Sequence, residues 1–186
     1  QGGYMFKSDR LDGAEMGLRP LMGQNFAGAG TGGAGTDILA WINPREISVD
    51  PFKVVTPAQS SWLRAHIGAA CVALTGPDST DPVKGYAAYW DTAAMIDHNI
   101  FNNASKNPDA FRLSSYWHKP RLGKLTPGPI WDFDRTQGST DGRDFDWGTW
   151  QGGMDFFTYP WYKEMFADAN FRQAWIDRFH ALRQGP

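Results

Sequence analysis

An α+β fold is predicted for this chain from three observations. Apolar residues recur at helical spacing between 56 and 76, alternate strictly with polar ones between 111 and 118, and form a second extended run at 125–133 beyond a turn. At 186 residues the chain has the length of one ordinary domain with a hydrophobic core, so a single folding unit over 1–186 is expected.

Taken in order, residues 3–11 alternate Tyr4 and Phe6 with Met5 and Lys7 and predict a strand. From 23 to 36 the chain is mostly Gly, Ala and Thr, too poor in apolar area to offset the entropy of ordering, and is expected to be a flexible surface loop. Gly28, Gly30 and Gly33 within it have the spacing of a dinucleotide-binding turn, but no strand precedes them and no amphipathic helix follows, so low complexity is the better explanation.

Thr56-Pro57-Ala58-Gln59 opens a helix: Thr56 suits the cap, Pro57 the first helical position, and Gln59 the return bond of a capping box. Leu63, Ile67, Ala70, Cys71 and Leu74 then share one face, and Gly76 ends it. A second helix is predicted after Asp91 with Met95, Ile96 and Ile100 inward, fading at Asn102 and Asn103. His98 on this helix is expected to be structural, because no other His or Cys stands at metal-binding spacing, and Cys71 is expected to be a buried thiol. Asn103-Ala104-Ser105 is a glycosylation sequon too frequent by chance to guide a conclusion.

Phe111, Leu113, Ser115 and Trp117 alternate with Arg112, Ser114, Tyr116 and His118, which predicts a strand. Pro120-Arg121-Leu122-Gly123 supplies a turn, and 125–133 returns as the second strand of a hairpin. After Asn170 a last helix places Phe171, Trp175, Phe179 and Leu182 toward the core. The nine Trp residues are assigned first to that core and second to stacking platforms.

Composition narrows the partners. With 18 Lys+Arg against 20 Asp+Glu, the net charge of -2 leaves no broad basic surface, so nucleic acid is not expected. No apolar run approaches the roughly 20 residues that span a bilayer, so no membrane insertion is expected. The chain opens on Gln1-Gly2-Gly3-Tyr4 without a start Met or signal-peptide pattern, and it stops where a helix finishes; a piece of a longer protein is expected.

A turn centred near Pro120 and Arg121 would set Asp109 directly opposite Asp132 at the open end of the hairpin, with Asp134 adding a third carboxylate. Such acids repel unless a proton or a cation neutralises them. Mg²⁺ takes oxygen ligands and commonly uses one or two carboxylates plus substrate phosphates, so metal-assisted phosphoryl transfer follows as the reaction class. Asp109 would orient or deprotonate the acceptor hydroxyl and Asp132 would hold the metal. The competing explanation is that these acids merely cap turns at strand ends.

Several segments, in order along the chain, resemble the spore-coat protein H (CotH) kinase family: residues 3–12, Thr56-Pro57-Ala58-Gln59, residues 106–114, Gly123-Lys124-Leu125, Gly128-Pro129-Ile130-Trp131-Asp132-Phe133-Asp134 with Gly138, and Tyr159-Pro160-Trp161. The Trp-Asp-Phe-Asp block after Gly-Pro is the most specific. The resemblance implies an atypical protein-kinase-like fold, here the end of the small lobe and most of a helical large lobe around a catalytic β-hairpin. It implies Asp109 as the catalytic-loop aspartate, Asp132 as the metal-binding aspartate, Asp134 as a supporting ligand, and ATP with Mg²⁺ or Mn²⁺ as cofactors. Ser114 stands where kinases carry a metal-binding Asn. Its hydroxyl is a possible ligand, and Lys7 and Arg112 are the candidate phosphate contacts.

The resemblance further implies a secreted or spore-surface location and transfer to Ser/Thr hydroxyls of secreted or coat proteins, although the usual nucleotide-covering segment falls mostly upstream of this sequence. Two alternatives remain: a non-catalytic surface or adhesion module of the same family, and a carbohydrate-active domain with Trp147 and Trp150 as sugar platforms and Asp144 and Asp146 as acid and base.

Overall fold

Helix α1 (Pro57–Thr75) realises the first helical pattern from the predicted proline start to the residue before Gly76. This computed structural model describes residues 3–8, 17–18, 40–41, 57–111, 114–138, 145–146, 148–150 and 156–185. The Gly-rich stretch at 23–36 lies outside the described residues, as do Arg112, Asp144 and Trp147.

A three-stranded antiparallel sheet combines β1 (Tyr4–Ser8), β4 (Ser115–Lys119) and β5 (Thr126–Pro127), with β4 in the middle. Two short strands, β2 (Gly17–Leu18) and β3 (Ala40–Trp41), pair separately. A 3₁₀ turn at Tyr86–Ala88 leads into α2 (Thr92–Ala104), whose cap is Asp91 accepting from the Ala94 N–H at 3.1 Å. The chain closes with α3 (Pro160–Ala167) and α4 (Ala169–Arg183). Asp168 caps α4 through the Asn170 N–H and accepts the Tyr86 hydroxyl at 2.7 Å, tying that helix start to the 3₁₀ turn. The fold is therefore a mixed α+β one, with helices gathered behind a small sheet.

Three expectations need correction. The strand predicted from Phe111 begins only at Ser115, because Phe111 (φ 74°) and Ser114 (φ 50°) occupy left-handed backbone that an extended ladder excludes. The strand predicted over 125–133 is reduced to Thr126–Pro127. Pro127 and Pro129 have no N–H to donate, and Gly128 (φ 121°) before a cis Pro129 turns the chain away. Leu182 is exposed rather than core-facing, whereas Phe171 and Trp175 of the same helix are buried. Helix α3 was not anticipated beyond its Tyr-Pro-Trp start.

The hairpin register also differs. Trp117 faces Pro127 and His118 faces Thr126, so the centre of the connection lies at Leu122. The turn closes between Gly123 N–H and Pro120 carbonyl at 3.1 Å, as its sequence predicts. Leu125, buried, pairs in parallel with Trp90 in the segment leading into α2: its N–H donates to the Tyr89 carbonyl and its carbonyl accepts from Asp91 N–H.

The core is aromatic. Trp117 from β4 meets Trp90 at 5.7 Å and Trp161 of α3 at 5.4 Å, both edge to face. Phe111, fully buried, lies 4.6 Å from Tyr162 and within 6.0 Å of Phe156, ring centre to ring centre. Such pairs contribute on the order of 1 kcal/mol each beyond area burial. Cys71 sits in this interior with its thiol pushed up to about 12 by burial, an inert group as expected. Asn103 is buried as well, which closes its sequon to glycosylation in the folded chain. Among the described residues no helix is long and apolar enough to cross a membrane.

Buried polar groups join α2 to its neighbours. Asn99, fully buried, donates to the Phe156 carbonyl at 2.7 Å and accepts the Trp175 indole N–H at 2.9 Å. By contrast the Arg178–Asp97 pair linking α4 to α2 is exposed and screened by water. Replacing Asn99 by Ala leaves a buried donor and a buried acceptor unpaired, so urea unfolding should register a loss of about 3 kcal/mol, and Arg178→Ala a clearly smaller one. Equal losses for the two variants would contradict this division.

Candidate functional site

Two loops carry the predicted site residues: 105–114, which leaves the end of α2, and 128–138, which follows β5. Both are backbone outliers. Among the described residues, Lys106 (φ 54°), Phe111, Ser114, Asp132 (φ 62°) and Gln137 (φ 62°) are the non-glycine residues in left-handed conformation, and all fall in these loops. Each such residue costs on the order of 1–3 kcal/mol and persists only where surrounding contacts over-determine it, which is the pattern of a functional site.

The contacts that hold the first loop start on α2. The Asn102 side chain donates to the His98 carbonyl at 2.8 Å and accepts from Asn107 at 3.2 Å, and the Asn107 side-chain oxygen accepts the Asp109 N–H at 3.1 Å. Lys106 is buried, and its ammonium donates to the carbonyls of Thr149 and of Trp150, the latter at 3.0 Å. Burial lowers its pKa, against the opposing pull of Asp146. Asp109 thus sits on a backbone fixed from both sides. Its carboxylate, largely buried, accepts from the Arg135 guanidinium at 2.9 Å.

In the second loop Asp132 accepts the Ser114 hydroxyl at 2.8 Å. Asp134 has its pKa raised, first by a hydrogen bond with Asp132, then by desolvation and by the repulsion of that neighbour, while the Arg135 charge works the other way. A carboxylate raised in this way by its neighbour is eased by a proton or a cation shared between the two. Oxygen-only donors of this kind suit a hard divalent ion. The residues present therefore fit such an ion at Asp132 and Asp134, with Ser114 orienting one of the two.

The structure brings together Asp132, Asp134 and Ser114 on one side and Asp109 with Arg135 on the other. The expected direct facing of Asp109 and Asp132 across a hairpin does not form, because the β4–β5 ladder stops at Trp117 and Pro127; the Asp109 carboxylate instead meets the Arg135 guanidinium. Among the described residues no group of three or more His, Cys, Asp or Glu side chains is gathered as a metal site. Lys7 lies on β1 opposite Tyr116, one residue along β4 from the strand start that follows Ser114. Beside the acids is a narrow cleft of about 10 Å³, lined by His98, Asn102, Asn107, Ser114, Ser115 and Trp131 among others, with room for no more than a single water.

Sequence reasoning passed over Asn99, Asn102, Asn107 and Arg135. A signal existed for the first: Asn99 and Asn103 continue the inward face of Met95, Ile96 and Ile100, and a polar residue on an apolar stripe marks a buried hydrogen-bond partner. The sugar-platform arrangement gains no support, since Trp150 packs edge-on at 4.5 Å from Phe179 and Asp146 caps the Gly148 and Thr149 turn.

Comparison with known families finds a match to the model described as CotH kinase protein over residues 50–186. Neither the curated proteins nor the solved structures contain a match to the chain.

His98 stands behind this site, half-buried, its ring nitrogen 3.2 Å from the Tyr162 hydroxyl and its ring in contact with Phe111 and Trp117. Burial holds its pKa down at about 4, from an ordinary 6.5. The folded state thus resists a proton that the unfolded chain accepts, and the stability present above pH 6.5 is lost as pH falls from there toward 4. Urea titrations should show about 3 kcal/mol of acid destabilisation from this residue, absent in His98→Gln; an unchanged acid slope in that variant would refute the assignment.

Proposed function

Since this chain belongs to the CotH kinase family, we propose that it transfers a phosphoryl group from ATP to Ser/Thr hydroxyls of secreted or spore-coat proteins. The observation that carries this reading is the Ser114 hydroxyl bond to Asp132, two residues before Asp134, with Asp109 separately braced by Arg135. One loop has the donor set for a cation, and the other presents a carboxylate that can receive a proton.

In this reading Asp132 and Asp134 hold Mg²⁺ or Mn²⁺, which supplies neutralisation of the nucleotide phosphates. Ser114 keeps the Asp132 carboxylate turned toward that position, either alongside or instead of binding the ion itself. Asp109 accepts the hydrogen bond of the acceptor hydroxyl, aligns its oxygen and takes its proton as the new bond forms. Lys7, from β1, and Arg112 contact phosphate oxygens.

The second reading is a surface or adhesion module of the same family that does no chemistry. The Ser at position 114, where kinases carry Asn, favours it.

Incubation with γ-labelled ATP, Mg²⁺ or Mn²⁺ and a Ser-rich acceptor should label the acceptor. Asp109→Ala and Asp132→Ala should each lower the rate by about 100-fold or more, and chelation of the metal should abolish it. Unlabelled acceptor together with no measurable nucleotide binding would support the adhesion module instead.

A further inference from the structure

Asp109 is held at its backbone by Asn107 and at its carboxylate by Arg135, and these two holds come from different loops. The second is set by local geometry. Residues 133–136 close a tight turn in which Thr136 donates to the Phe133 carbonyl through both its N–H, at 3.2 Å, and its hydroxyl, at 2.8 Å. Phe133 is anchored edge-on against Phe101 of α2 at 5.3 Å. Arg135, the third residue of that turn, follows Asp134 directly, so the residue that reaches Asp109 is covalently continuous with the acid pair. Its guanidinium donates from Nη1 to Asp109 Oδ2 at 2.9 Å, and both side chains are substantially shielded from water, with 32% and 12% exposure.

We propose that Arg135 is a positioning residue for the phosphoryl transfer inferred above: it fixes the Asp109 carboxylate relative to the loop that carries Asp132 and Asp134, so that proton acceptor and cation site keep one spacing. The proposal rests on that reading of the function. A shielded, charge-assisted bond is the kind that holds geometry, whereas exposed ion pairs contribute little. Arg135 also spreads positive charge toward Asp134, so three acids in adjoining loops are partly balanced before any cation arrives. A guanidinium serves this better than an ammonium because its donors sit in a rigid plane.

The test compares Arg135→Ala and Arg135→Lys in the full chain. In Arg135→Ala, kcat should fall about 10- to 100-fold with KM for ATP within about twofold, the cost of a misplaced but intact acid. Mn²⁺ affinity, followed by electron paramagnetic resonance without nucleotide, should stay level or rise because a neighbouring positive charge has gone. Amide hydrogen exchange across 107–111 should speed up by about tenfold while α4 is unchanged. Arg135→Lys should recover most of the lost kcat. Wild-type kcat in Arg135→Ala, or a joint fall of Mn²⁺ affinity, melting temperature and kcat that Lys does not relieve, overturns the positioning role. A wild-type chain that transfers no phosphate removes the kinase reading, and this role with it, an outcome distinct from an active wild type indifferent to Arg135.

Discussion

The relay of amides from α2 to the Asp109 backbone, His98 to Asn102 to Asn107 to Asp109, is the constraint on which the site depends. Two residues flanking Asp109, Lys106 and Phe111, are left-handed, and no intrinsic preference of a lysine or a phenylalanine favours that. The loop keeps this shape because the alternatives would strand buried amides and withdraw the Phe111 ring from its aromatic nest. Neutral hydrogen bonds each contribute only about 1 kcal/mol net, but leaving their partners buried and unmade costs more, so the relay acts chiefly by penalising every other loop conformation.

Charge then organises what the relay positions. Asp109, Asp132 and Asp134 would repel if brought together bare. The fold separates them into an acid pair and a single acid, gives the single acid an arginine, and turns a serine hydroxyl toward the pair. This is a different solution from three acids meeting at one point, and it matches the division of labour in metal-assisted phosphoryl transfer, where one group handles a proton and others handle an ion.

Helices α1 and α2 were legible in the sequence because each has start chemistry: Pro57 and Gly76 around α1, and the Asp91 cap of α2, fall where structure and sequence agree. The strand of β4 was legible by alternation, with Ser115, Trp117 and Lys119 buried. The hairpin register was not. It involves the pairing of Leu125 with the segment just before α2, a tertiary preference that no local turn rule contains, and the short β5 ends well before Asp132. The acids were singled out by their chemistry and their resemblance to a family motif. Arg135 was missed because an arginine beside an acidic motif reads as surface charge until its partner is located in space.

The central claim is that Asp132 and Asp134 form the cation position while Asp109 stands beside it without binding the ion. Crystals grown with Mn²⁺ and a non-hydrolysable ATP analogue test this directly through anomalous scattering. The account predicts a manganese peak bound by the carboxylates of Asp132 and Asp134, with Asp109 still on Arg135. A peak coordinated by Asp109, or no peak at the acid pair when nucleotide is bound, would contradict it.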